Sequence, residues 1–139
     1  MTSTQRNWLR SALLASLLGT ASLTAAAEEA LPQGQTQGQA SFISGGIGAD
    51  EVAAMKAVRQ DYNLRLLFAA KGSGEYLADV AVVVRNARGD TVLDTVAKGP
   101  FFYARLPAGQ YQVSASYQDK SQARKVRLGR SGSELSFYW

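Results

Sequence analysis

From Tyr62 to the C-terminus, apolar side chains recur at every second position, in short runs broken by Gly, Pro, Asn and Asp. This alternation predicts half-buried β-strands, because successive side chains of an extended chain point to opposite sides. Leu64, Leu66 and Phe68 share one face of the first run, which Gly72 and Gly74 end. Val80, Val82 and Val84 form the next, and Asn86-Ala87-Arg88-Gly89 turns it back into Thr91 to Val96 as a hairpin. Gly99 and Pro100 open a strand from Phe101 to Leu106, after which Pro107-Ala108-Gly109 makes a tight turn. Tyr111, Val113, Ala115 and Tyr117 line one side of the strand that follows. The last two runs span about Gln122 to Leu128 and Glu134 to Trp139, the latter with Leu135, Phe137 and Trp139 in phase. Seven short strands at this spacing predict a mainly β chain folded as an antiparallel sandwich or small barrel.

Upstream, the period changes. Val52, Met55 and Val58 recur every third residue between Ala49 and Gln60, which predicts one short amphipathic helix with Asp50 and Glu51 at its positive end. Gly45, Gly46 and Gly48 precede it, and backbone amides at a helix start can hold a phosphate. No Lys follows in the right place, however, and Asp50 and Glu51 sit where a phosphate would, so a plain flexible approach to the helix is expected. Residues 28–41 are mostly Gln, Gly, Ala and Pro, with Gln33, Gln35, Gln37 and Gln39 at alternate positions. Such a segment buries too little apolar surface to offset its ordering entropy, and is expected to be a flexible leader.

The first 27 residues read as an export signal. Arg6 and Arg10 precede an apolar run from Ala12 to Leu23, and Ala25-Ala26-Ala27 supplies a small-residue cleavage site before Glu28. The run falls short of the roughly 20 residues of a spanning helix, and nothing later is longer or more apolar, so no membrane span is expected. There is no Cys for lipid attachment, and Arg6 and Arg10 are not adjacent, which favours a Sec-type signal over twin-arginine export. The expectation is a soluble periplasmic or secreted protein, with one domain at residues 42–139 following the leader.

Processing would leave 112 of the 139 residues, enough for a single hydrophobic core. With no Cys, that core has no disulfide to support it. Arg6 and Arg10 leave with the signal, so the net charge falls from +4 to +2. That is no footprint for nucleic acid.

The hairpin Val84-Arg85-Asn86-Ala87-Arg88-Gly89, the Gly99-Pro100-Phe101 step and Leu106-Pro107-Ala108-Gly109-Gln110-Tyr111-Gln112-Val113 together resemble the carboxypeptidase regulatory-like domains, relatives of prealbumin and of surface-protein B-type repeats. Gly45-Gly46-Ile47-Gly48, the helix and Asp61-Tyr62-Asn63-Leu64 further resemble small exported proteobacterial proteins that consist of this domain alone. The resemblance covers Ser44 to Trp139 and implies a prealbumin-like sandwich of seven strands with one N-terminal helix. It implies no particular activity, because such domains serve as accessory modules, stalks and binding surfaces. It also excludes one: prealbumin-like hydroxyisourate hydrolases rely on histidines and a Tyr-Arg-Gly-Ser ending, whereas this chain has no His and ends Ser136-Phe137-Tyr138-Trp139.

Other chemistry finds little purchase. Ser nucleophiles lack a His base, and there is no Ser-x-x-Lys dyad. Glu75 with Asp79 and Asp90 with Asp94 are the candidate acid–base pairs, but both flank turns, where carboxylates serve solubility and local hydrogen bonding. No Asp-x-Asp-x-Asp-Gly loop offers a calcium site. A non-catalytic protein without metal or cofactor is expected.

Two surfaces compete as binding sites. If Phe102, Ala104 and Leu106 point inward, Phe101, Tyr103 and Arg105 fall on the opposite face, where two rings and a guanidinium would suit a sugar or a protein partner. The competing account has the Val52, Met55, Val58 face of the helix cover these rings as a second small core. Lys120, Arg124, Lys125, Arg127 and Arg130 form the second surface, fit for acidic envelope polymers or lipid head groups, or simply protecting an exposed strand from edge-to-edge pairing. The terminal Leu135, Phe137 and Trp139 also occur in exported membrane barrels, but those need at least eight strands of roughly 9–11 residues, longer than these. The sequence thus points to an exported binding or structural module of the cell envelope, alternatively an accessory subunit of a larger envelope complex or a carbohydrate-binding module. Its partner would be an envelope protein or a glycan, and its oligomeric state is left open.

Overall fold

The computed structural model describes residues 31–139; the segment read as an export signal, residues 1–27, and residues 28–30 of the expected leader lie outside them. Two sheets pack face to face. The first holds five strands in the order β1 (Gln35–Gln37), β2 (Ala40–Gly45), β6 (Phe101–Arg105), β3 (Leu64–Ala69) and β9 (Ser133–Tyr138). The second holds β5 (Thr91–Ala97), β4 (Val80–Asn86), β7 (Gly109–Tyr117) and β8 (Lys120–Leu128). A single helix, α1 (Ala49–Val58), continues as a 3-10 turn over Arg59–Asp61 and joins β2 to β3.

The core between the sheets is the set of in-phase positions that the alternation marks. Leu64, Leu66 and Phe68 from β3, Val80, Val82 and Val84 from β4, and Val113 and Ala115 from β7 are fully buried there, with Phe102, Ala104 and Phe137 from the first sheet. Trp139 packs half-buried against the same core, its ring 6.1 Å from those of Phe68 and Phe137, and its indole N–H donates to the Lys120 carbonyl at 2.9 Å. Each buried aliphatic or aromatic side chain contributes about 1.5–3 kcal/mol.

Two turns hold the register. In the β4–β5 hairpin the Asn86 carboxamide oxygen accepts from the backbone N–H groups of Arg88 and Asp90, both at 3.0 Å, while Gly89 takes the positive φ of 86° that the reversal requires. At the β6–β7 corner the Tyr111 hydroxyl donates back to the Pro107 carbonyl at 2.6 Å, which closes the Leu106–Tyr111 segment into a rigid unit. Asn63 secures that corner from the other side: its amide nitrogen donates to the Leu106 carbonyl at 2.8 Å and its amide oxygen accepts the Leu106 N–H at 3.0 Å. Gly99 lies so close to the Gly45 backbone that a Cβ there would strike it.

The structure departs from the sequence expectations in four places. Among the described residues there are nine strands, not seven, because residues 35–45 form β1 and β2. Part of the segment read as a flexible leader is therefore paired: Gln37 lies opposite Ala40 across a turn at Gly38, and Ala40, Phe42 and Ile43 are buried. Three polar residues can form a strand here because β1 is held by main-chain pairing and by the Gln37 side chain, whose amide both donates to the Asp94 carbonyl and accepts the Asp94 N–H. The sheets are not wholly antiparallel either, since β3 and β9 run parallel from Leu64 opposite Ser133 to Ala69 opposite Tyr138. Finally, the regular helix stops at Val58 rather than Gln60.

Asn63→Ala removes two main-chain-directed hydrogen bonds from a half-buried site. We expect a loss of about 1–3 kcal/mol in urea unfolding, against little change for the exposed Gln118→Ala.

Candidate functional site

The outer face of the five-stranded sheet is only half covered. Opposed positions place Ile43, Tyr103, Arg65 and Glu134 in one row across β2, β6, β3 and β9, and Gly45, Phe101, Leu67 and Ser136 in the next. Helix α1 lies over the β2 side, where fully buried Met55 packs on Ile43 and Tyr103, with Val58, Tyr62 and Phe101 around them. A second small core results, and the Tyr103 ring lies inside it with 4% of its surface exposed. The strip Phe101, Tyr103, Arg105 is therefore not one open binding surface. Arg105 is exposed at the far end, where its guanidinium donates to the Asp61 carbonyl and stands 5.9 Å from the centre of the Tyr62 ring.

What the helix leaves bare is the corner over β3 and β9. Phe101 is half-buried there, edge-on to Tyr76 with ring centres 5.5 Å apart. Tyr76 bridges to Ala69 on one side of β3, and Tyr138 pairs with Ala69 on the other. Tyr76 and Tyr138 expose 58% and 43% of their surfaces. Between this corner and the end of the helix runs a groove of about 160 Å³, lined by Leu67, Phe101, Tyr103 and Ser136, with Arg59, Arg65 and Glu134 at its rim. Glu134 bridges the two arginines, pairing directly with Arg59 and accepting from Arg65 Nε at 3.3 Å. Arg65 is further oriented by donating to the Tyr62 carbonyl at 2.9 Å.

Sequence reasoning found Phe101 and Tyr103 but missed Tyr76, Leu67, Tyr138, Ser136, Arg59, Arg65 and Glu134. Tyr76 stands alone between turns, and Tyr138 is the out-of-phase residue of its strand; the available signal was that both fall opposite Ala69, which appears only once the parallel β3–β9 pairing is known.

The five basic residues near the C-terminus do not form one surface. Lys120 and Arg124 pair with Tyr117 and Val113, whose side chains point toward the core, and the Arg124 guanidinium sits 4.9 Å from the centre of the Phe137 ring. Lys125 and Arg127 pair with Gln112 and Gln110 on the opposite, outer face. Arg130 lies beyond the strand. The alternation of the strand itself separates them. β8 is an edge strand, as the protective reading of these charges requires.

The remaining candidates are local. Glu75, Asp79, Asp90 and Asp94 are all exposed, but Asp94 does not flank a turn as expected: it sits within β5, opposite Val83. At the glycine-rich approach to α1 the Glu51 carboxylate accepts from the backbone N–H groups of Gly46 and Ile47 at 3.2 and 3.3 Å, so the chain's own acid takes the place an anion would occupy. No known protein-family model and no curated protein matches this chain in sequence.

Burial raises the Tyr103 phenol above its ordinary value of 10.0, with the cationic Arg59 and Arg65 partly opposing the shift. A phenol with a raised folded-state value holds its proton longer than in the unfolded chain. Its contribution is thus fully present below about pH 10 and is lost as pH rises through the folded-state value. Tyr103→Phe should accordingly lose less stability than the parent between about pH 10 and pH 12, with the difference vanishing near neutrality. Because Tyr62 and Tyr111 are raised by burial too, the decline should shrink rather than disappear. Tyr103→Ala should cost about 3–5 kcal/mol in urea unfolding.

Proposed function

We propose that the chain is an exported, non-catalytic binding module of the bacterial cell envelope, built as a prealbumin-like sandwich of the carboxypeptidase regulatory-like type, and that it docks a partner protein on the Tyr76, Phe101, Tyr138 corner. The reading of location rests on the N-terminal segment, and the reading of family rests on the Leu106–Val113 and Asn86–Gly89 motifs. The observation that carries the binding role is the half-covered outer face. A helix that shields Ile43 and Tyr103 stops short of Phe101, leaving two exposed tyrosines beside a groove sized for a partner's side chain. Aromatic rings flanked by arginines are the composition of energetic hot spots in protein interfaces.

The Arg59–Glu134–Arg65 group supports the same reading. Exposed ion pairs add little stability, but these three side chains set a fixed pattern of charge at the rim of an apolar groove, which favours one orientation of a partner over others. The accessory-subunit reading is the form this role takes when the partner belongs to a larger assembly.

In intact cells, a photo-crosslinking amino acid at position 76 or 138 should trap one discrete envelope protein, and the same probe at Ser121 on the opposite sheet should not. Tyr76→Ala combined with Tyr138→Ala should abolish the adduct formed from a probe at Ser136 while leaving the melting temperature within a few degrees of the parent. Equal trapping from both sheets, or none from this corner, would count against the proposal.

A further inference from the structure

The outer face of the four-stranded sheet carries a separate arrangement of charge. Arg85 on β4, Gln112 on β7 and Lys125 on β8 are opposed in one row, and Gln110 and Arg127 form the next row of the same face. The strand neighbours of Arg85, Gln110, Gln112 and Arg127 (Val84, Tyr111, Val113 and Leu128) are buried in the core and Lys125 is opposed to Gln112, so all five point away from it. The five side chains are exposed and line one cavity of about 530 Å³. Among the described residues no carboxylate borders that cavity, and the ion pairs join Arg59 and Arg65 to Glu134 on the other sheet. Asp90, whose carbonyl accepts the Asn86 N–H, and Asp94, opposite Val83, are the acids nearest in register to Arg85, and neither is in its row.

We propose that this shelf binds an acidic saccharide, with Arg85, Lys125 and Arg127 taking its anionic groups and the Gln110 and Gln112 amides taking its hydroxyls. A primary amide both donates and accepts, as sugar hydroxyls require, while the three cations carry donors only. With two strand spacings of about 4.8 Å between their backbones, Arg85 and Lys125 bracket a ligand from both sides. At about 30 Å³ per water molecule, the cavity far exceeds what a lone phosphate needs. Beyond it on β4, β7 and β8, the rows Val83, Ser114, Ala123 and Ala81, Ser116, Ser121 carry no charged side chain, with Asp94 and Val96 at their β5 ends, so an extended chain of sugars can lie along these three strands. A bilayer fits less well, because interfacial binding needs apolar side chains to insert and this face offers only Val96 at its margin as an exposed large hydrophobic residue.

The test is calorimetric titration of the purified chain with a heparin hexasaccharide, between roughly 20 mM and roughly 200 mM salt, alongside uncharged cellohexaose and vesicles of phosphatidylcholine with phosphatidylglycerol. The heparin hexasaccharide should bind with an affinity that falls as salt rises, and cellohexaose and the vesicles should not. Arg85→Ala with Lys125→Ala should weaken binding about tenfold or more. Lys120→Ala with Arg130→Ala removes the same charge away from the shelf and should change it by less than about twofold. Gln112→Ala, which removes no charge, should weaken it measurably at either salt concentration. Unchanged melting curves would exclude unfolding as the cause. Absence of hexasaccharide binding, equal losses in the two double variants, or vesicle binding that depends on Arg85 and Lys125 would each overturn the proposal.

Discussion

Strand β6 has to bury both of its faces, and much of the molecule follows from that requirement. Phe102 and Ala104 point into the core between the sheets, while Phe101 and Tyr103 point the other way and are no less apolar. A strand at the middle of a five-stranded sheet with one face in water would leave those rings exposed. Helix α1 answers this with a single fully buried residue, Met55, seated on Tyr103 and Ile43. Ten residues of helix span about 15 Å, which is too little to roof five strands at about 4.8 Å each. The cover is partial by geometry, and the open corner over β3 and β9 is its direct consequence.

The edges of the sandwich show a second economy. Each place where the two sheets approach is tied by side chains reaching for main-chain groups that no neighbouring strand satisfies. Gln37 bonds both the N–H and the carbonyl of Asp94, and the Lys98 N–H donates to the Ser44 hydroxyl on one side. On the other, Gln122 donates to the Tyr138 carbonyl at 2.6 Å, Ser133 to that of Arg127 and Trp139 to that of Lys120. Such contacts occupy edge groups that would otherwise recruit a strand from another chain. The two outer faces, rather than the edges, are thereby left as the open surfaces of the sandwich.

The inward positions were readable because period two and burial are the same signal. Val80, Val82 and Val84 or Tyr111, Val113 and Ala115 could scarcely face any other way. What the sequence hid was held by the main chain or by distance. β1 has no apolar side chain to announce it, and its stability comes from pairing with β2 and from one glutamine amide. The parallel partnership of β3 with β9 joins segments some seventy positions apart, and no local pattern distinguishes it from an antiparallel one. The basic residues near the C-terminus failed as a group for the opposite reason. They were grouped by closeness in sequence, although adjacent positions of a strand face apart, so Arg124 and Lys125 end on different sides of the sheet. Tyr76 and Tyr138, beside the groove, leave no local signal because they become neighbours only through Ala69.

Outward positions of strands whose inward positions carry the core can change without much cost to folding, which is how one scaffold comes to hold two independent faces. Arg85, Lys125 and Arg127 illustrate this: each is exposed, and each alternates with a residue that is at least half-buried. Phe101 is the exception. It packs against Tyr103 in the small core and against Tyr76 in the open corner, with ring centres at 6.5 and 5.5 Å. A ring shared in this way couples the two: whatever holds Tyr103 beneath Met55 also fixes the angle at which Phe101 presents itself to a partner. Loosening the helix should therefore disturb the corner before it disturbs the sandwich, because α1 contributes to the small core and hardly at all to the large one. The helix is in this sense part of the proposed binding surface it does not cover.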